Sequence, residues 1–328
     1  MSRLSSPFLP VTRKVSTIMR EVLLALLPGV IVYTLLFGTG VLSNIAIAVG
    51  TCLLVEAAML RLRSKPLRPF LLDSSALVTG ILLALSIPPI APWWIAVVGA
   101  AFAMLLGKHV YGGIGYNPFN PAMVGFVVLL ISFPVQMTAW PPLQPLWSAP
   151  ATDAVSAATA LDHVRAQLGL QRTLSEIRGD DSIGLFGASG WEWIALAYLL
   201  GGLFLLWRRT IRWQIPVGLL LGMAAVALPF WLYDSDRYAS PLFHWFSGAT
   251  MLGAFFIATD PVSAATTPRG RILFGFGIGA LTYVIRSWGG YPDGIAFAVL
   301  LFNICAPTLD RYTQPRVYGH GRRETPEP

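Results

Sequence analysis

"GILLALSIP", Gly80 to Pro88, is answered 173 residues later by "GAFFIATDP", Gly253 to Pro261. Each string opens on glycine, runs apolar, and closes on a hydroxyl residue, one variable residue and proline. A second echo has nearly the same spacing. "PAMVGFVVLL", Pro121 to Leu130, and "PDGIAFAVLL", Pro292 to Leu301, are 171 residues apart. Two matches at nearly one offset argue for a duplicated unit, against chance likeness of apolar segments. Working outward, ten apolar stretches lie at about 19–38, 41–60, 74–88, 92–108, 119–137, 190–207, 214–233, 243–258, 271–287 and 293–308. The unit is therefore five helices. Five is odd, so the second copy lies inverted in the membrane. The third and eighth stretches are short and end in proline, which marks them as the broken pair of an inverted repeat, with sites at the repeat interface. Backbone groups freed by such breaks are tolerated only where they line a cavity or are buried in protein. The expected fold is an all-α polytopic membrane protein of about ten transmembrane helices, arranged as two inverted five-helix repeats.

Composition agrees. Of 328 residues, 55% are hydrophobic and only 12% charged, about half the charged share of a soluble domain. Several nearly uncharged stretches of some 20 apolar residues settle the class. The net charge of +7 reads as cytoplasmic loop charge, and no nucleic acid is expected, because no basic run is interleaved with stacking aromatics. The first apolar segment follows Arg13, Lys14 and Arg20 but has no small-x-small cleavage site, so it reads as a retained helix. Cys52 and Cys305 read as two buried, inert thiols. Without a CxxC the chain holds no iron–sulfur or zinc site of its own. His109, His163, His244 and His320 make no metal pair.

Charge sets the direction. Basic clusters occupy the N-terminal tail, the second-to-third loop (Arg61, Arg63, Lys65, Arg68), Lys108, Arg208 with Arg209 and Arg212, Arg269 with Arg271, and the C-terminal tail. Each follows an even number of spans. Both termini are thus expected in the cytoplasm and the loop 138–189 outside. The domains read as a first repeat over 1–137, this outer loop, a second repeat over 190–310 and a tail over 311–328.

Glu21, Glu56, Asp73, Lys108, Asp260, Arg286 and Asp293 lie in or beside the spans. Intramembrane ionisable groups are functional candidates. For those at helix ends, snorkelling or capping is the competing reading, and for Glu56 a helix–helix hydrogen bond. "GGIGYNPFNPA", Gly112 to Ala122, offers glycines for close approach and the carboxamides of Asn117 and Asn120 for a heteroaromatic edge. Asn-Pro turns explain it equally. "TDAVSAATAL", Thr152 to Leu161, recurs as "TDPVSAATTP", Thr259 to Pro268. A threonine hydroxyl can carry an ester or simply cap the following stretch. Thr159 falls in the outer loop and Thr266 on the cytoplasmic side, where its string reads as a turn after the eighth span.

With these motifs in order over nearly the whole chain, the sequence resembles the D subunits of Rnf-type electron transport complexes. It is similar also to the related B subunits of sodium-translocating NADH:quinone reductase. The short stretch before the first span favours the former. The resemblance implies FMN bound covalently, as a phosphoester on Thr159, within a pattern that Asp153, Ser156, Ala157, Ala158 and Leu161 complete. It also implies a noncovalent riboflavin near Asn117 and Asn120. It implies no catalytic residue complete in this chain, and a role in ferredoxin:NAD oxidoreduction coupled to sodium or proton transport. The implied partners are the A, B, C, E and G subunits of the complex, an FMN transferase and membrane lipid. The implied location is the inner membrane, with loop 138–189 periplasmic. A non-redox secondary transporter stays open as the rival class.

Overall fold

The computed structural model describes residues 13–143, 159–178, 183–291 and 293–314. Ten helical segments follow in order: α1 (Val15–Phe37), α2 (Gly40–Leu62), α3 (Ser75–Ala84), α4 (Trp93–Met104), α5 (Pro121–Ser132), α6 (Trp191–Trp207), α7 (Gln214–Tyr233), α8 (Thr250–Leu252), α9 (Pro268–Trp288) and α10 (Ile295–Tyr312). Two of them continue as π-helical turns, α4 through Leu105–His109 and α8 through Gly253–Ile257. No strand forms among the described residues; Ile183 and Ala188 make an isolated bridge. α1, α2, α7 and α10 are each long and apolar enough to cross a membrane, and α3, α4, α5 and α6 are apolar but shorter. Outward faces stay apolar, as at Leu24, Ile31, Leu54, Leu221 and Ile304, which suits a lipid-solvated exterior. The protein is a multi-pass, all-α membrane protein.

Every expected span has its helix, with three local corrections. The fifth breaks at Phe133, where Pro134 starts a separate turn, Pro134–Thr138, because proline cannot donate into the ladder. The eighth is preceded by its own short helix, Pro241–Trp245, and a non-helical stretch. Cys305 is exposed, on the α10 face that carries Leu301 and Ile304, whereas Cys52 is buried as expected.

The two echoed strings share local geometry. Near the end of α3, Ser86 Oγ donates to the Leu82 carbonyl at 2.9 Å. Near the end of α8, Thr259 Oγ1 donates to the Phe255 carbonyl at 2.6 Å. Both hydroxyls bond back to the carbonyl four residues earlier, in the last turn before the proline. At the opposite ends, Ser74 and Gly248 take left-handed backbones, φ 66° and 59°, just before each segment turns inward.

Hydrogen bonds sort the connections into two ends of the bundle. At one end, Arg13 and Arg208 both bind Glu21, at 3.2 and 2.8 Å. Arg63, after α2, donates to the His109 carbonyl after α4. Thr266, after α8, bonds Asp310 near the end of α10. These are the connections that carry the basic clusters, and we call this the basic end. At the other, Arg165 donates to the carbonyls of Gly289 and Tyr291, and Ala188 N–H donates to Ser247 Oγ at 2.9 Å. This is the loop end.

α7 and α9 make the closest helix pair. Gly218 and Gly222 on one, with Gly275 and Gly279 on the other, leave no room for a Cβ against the facing backbone. Small residues four apart on both helices allow this approach in lipid.

Candidate functional sites at two ends of the bundle

Two pockets lie between the halves, one at each end, each bounded by the start of one broken helix and the finish of the other. The loop-end pocket is lined by Leu85 and Ser86 after α3, Met123, Phe126 and Leu130 on α5, Trp140, Thr159, Leu161, Trp191, Gly248, Ile257 and Asp293. Its wall is aromatic: Trp140 and Trp191 cross at 5.3 Å, and Tyr33 and Phe37 pack against both. A mostly apolar, aromatic-walled cavity with few polar groups is the usual form of a cofactor site.

Thr159 stands on this wall as the N-cap of the loop helix Ala160–Gly169, its Oγ1 accepting from Asp162 N–H at 3.2 Å. Both readings of the residue therefore meet in one place: it is a cap, and its side chain borders a cavity. A phosphate attached here would meet the N-terminus of a ten-residue helix, where unpaired N–H groups and the helix dipole favour an anion. The residues present thus fit a phosphoester-linked aromatic cofactor. Asp153, Ser156, Ala157 and Ala158 lie outside the described residues. Thr266 is different. Its N–H and hydroxyl both donate to the Asp310 carboxylate, at 2.8 and 2.7 Å, and neighbouring Thr267 caps α9 through Gly270 N–H at 3.1 Å. The second copy of the motif thus ties the loop before α9 to the end of α10.

The basic-end pocket is lined by Met19, Ser75, Val78, Thr79, Lys108, Asn117, Asn120, Thr210, Phe255, Thr259 and Asp260. Asn117 and Asn120 come together here but are not equivalent. Asn120 spends both ends of its carboxamide on the protein: Oδ1 accepts from Met123 N–H at 3.3 Å, capping α5, and Nδ2 donates to the Ile257 carbonyl at 3.2 Å across the repeat interface. Asn117 donates to the Phe119 carbonyl at 2.9 Å, and its Oδ1 accepts from no described residue. Asn117 is therefore the free acceptor and Asn120 the pin. Asp260, on the same wall, accepts from Ser263 N–H and Oγ at 3.1 and 2.8 Å. Burial pushes its carboxyl above the ordinary value, against those two bonds.

The charged groups expected at helix ends divide in two. Asp73 and Asp293 bond the first N–H of a helix, Asp73 Oδ1 accepting from Ser75 N–H at 2.7 Å and Asp293 Oδ1 from Ile295 N–H at 3.1 Å, while Asp260 holds the turn after α8 through Ser263. Lys108, read from sequence as an end residue, does not snorkel. It is buried, with Nζ 2.7 and 2.8 Å from the Glu56 oxygens and 2.8 Å from Ser75 Oγ. Arg286 is likewise buried on Asp293 at 3.0 Å and donates to the carbonyls of His244 and Ser247. Each cation thus anchors the start of a broken helix, Lys108 for α3 and Arg286 for α8. Sequence reading missed these pairs, although one carboxylate and one cation within apolar spans was the available signal. No group of three metal-ligating side chains occurs among the described residues.

Comparison with known proteins follows the same lines. Residues 3–319 match the model of the NQR2, RnfD, RnfE family. The chain is 52% identical over 337 residues to the D subunit of the ion-translocating oxidoreductase complex of Pseudomonas aeruginosa strain UCBPP-PA14, covering 99% of this chain and 97% of that one. It is 50% identical over 344 residues to the protein of that name from Yersinia enterocolitica, covering 97% and 98%. For the Ectopseudomonas mendocina protein of that name, the identity is 51% over 332 residues, covering 98% and 96%.

Proposed function

The chain belongs to the NQR2, RnfD, RnfE family, and from that premise we propose that it is the D-type membrane subunit of an Rnf ion-translocating oxidoreductase complex, with a flavin at each end. FMN is attached to Thr159 as a phosphoester, and a noncovalent riboflavin occupies the basic-end pocket beside Asn117. The observation that carries the reading is the position of Thr159, at once a helix N-cap and a wall residue of an aromatic pocket. Bound flavin supplies the electron-transfer chemistry, and the protein supplies placement and electrostatics.

The chain's own groups have definite tasks. The Thr159 hydroxyl would accept the phosphoryl group of an activated flavin donor, its O–H proton being released while the donor's phosphoanhydride P–O bond breaks and the other half of the donor departs, in a transfer made by a separate FMN transferase. Trp140, Trp191 and Phe126 exclude water from the loop-end pocket. Asn117 offers an acceptor to the ring edge, and Asn120 locks α5 to the end of α8 so that this acceptor keeps its place. Electrons reach the chain from its A, B, C, E and G partners, which supply iron–sulfur and NAD chemistry. Their flow is coupled to sodium or proton movement. The complex sits in the inner membrane, with both termini cytoplasmic and loop 138–189 periplasmic.

In-gel flavin fluorescence of the denatured chain tests the assignment. The band is expected to vanish with Thr159→Ala and to survive Thr266→Ala. A fluorescent Thr159→Ala band overturns the site, and a wild-type band without flavin supports a non-redox transporter instead.

A further inference from the structure

The two ion pairs, each with a buried cation, present opposite ends to the two pockets. At the basic end Lys108 lines the cavity, while Glu56 stands behind it, off the wall. At the loop end Asp293 lines the cavity, while Arg286 stands behind. Both pairs pin the start of a broken helix, and pinning alone has no use for a reversed polarity. Resting on the flavin reading above, we propose that Lys108 and Asp293 are electrostatic tuning residues that set the reduction potentials of the two flavins apart, Lys108 raising the one at the basic end and Asp293 lowering the one at the loop end.

The physics is that of charge beside a ring. An electron delivered by the complex adds one negative charge to the ring system. A cation at the wall stabilises that charge and a carboxylate opposes it. Glu56 weakens the field of Lys108 without cancelling it, because it lies farther from the cavity. Asp260 also faces the basic-end pocket. Its carboxylate accepts from Ser263 N–H and Oγ, and these donors weaken its opposition to the ammonium. Asp293 is the one ionisable side chain among the described residues lining the loop-end pocket.

The test is a spectroelectrochemical titration of the purified complex. Flavin released by acid precipitation is first counted, which separates the noncovalent ligand from the covalent one. Lys108→Gln is expected to lower the potential of the releasable flavin by about a tenfold change in its one-electron equilibrium, about 59 mV. Glu56→Gln removes the masking charge and is expected to raise the same potential. Neither moves the covalent flavin, whereas Asp293→Asn raises it. A structural role alone would shift both variants in one direction or neither, and that result overturns the proposal while leaving the pocket assignment intact. If Lys108→Gln loses its flavin, the sign of the Glu56→Gln shift decides. Absence of releasable flavin from the wild-type complex overturns the proposal and the basic-end pocket assignment together.

Discussion

Thr159 and Thr266 close nearly identical strings, and their surroundings divide them. One hydroxyl accepts a single backbone bond and borders a cavity. The other donates to a carboxylate in a tight turn. The same separation applies to the two asparagines. Asn120→Ala removes a helix cap and a bond across the repeat interface, so it is expected to cost about 1–2 kcal/mol, read as a lower thermal midpoint in detergent. Asn117→Ala loses one bond to the Phe119 carbonyl, expected to cost about 0.5–1.5 kcal/mol, while reducing releasable flavin. Lys108→Met leaves Glu56 buried without its partner, expected to cost about 3–5 kcal/mol, and much of this returns in the double change Glu56→Leu/Lys108→Met. A double-mutant cycle on thermal stability checks this. The cap at Thr159 was legible in sequence because a capping site is written in consecutive residues. The Lys108–Glu56 pair was not, because it depends on which faces of α2 and α4 meet, and apolar helices with weak amphipathicity do not encode that face clearly.

The broken helices were the most readable elements. Their defining chemistry, a hydroxyl two residues before a proline, is local and appears in both copies. What the strings did not disclose is the π-helical form of α8 or the second break at Pro134. Both are adjustments to neighbours rather than to propensity. The α7–α9 contact was overlooked although its signal is plain: glycines four apart on both helices. A side chain placed there must push backbones apart. Gly222→Leu or Gly279→Leu is expected to destabilise by at least about 1–3 kcal/mol, seen as loss of the folded monodisperse peak on size-exclusion chromatography. Leu221→Ala on the exposed face of α7 is expected to leave that peak unchanged.

Across the whole molecule, the alternation of connections between two ends follows the distribution of Lys and Arg, and the hydrogen bonds group the same loops. Which end faces the cytoplasm is the expectation from charge. A single cysteine introduced at Lys14 in a Cys52→Ala/Cys305→Ala background is expected to resist impermeant maleimide added to the periplasmic side. One at Arg172 is expected to react. Sites at the repeat interface were expected from the broken pair, but the linings could not be read from sequence, since each draws on several segments separated by more than a hundred residues. The two halves meet at them: a broken helix end and an ion pair lie beside each cavity.

The most direct measurement is peptide mass spectrometry of the segment spanning loop 138–189 from protein purified from its native membrane. The expected result is an FMN adduct localised by fragmentation to Thr159. An unmodified Thr159, or an adduct on Thr266, would contradict the account.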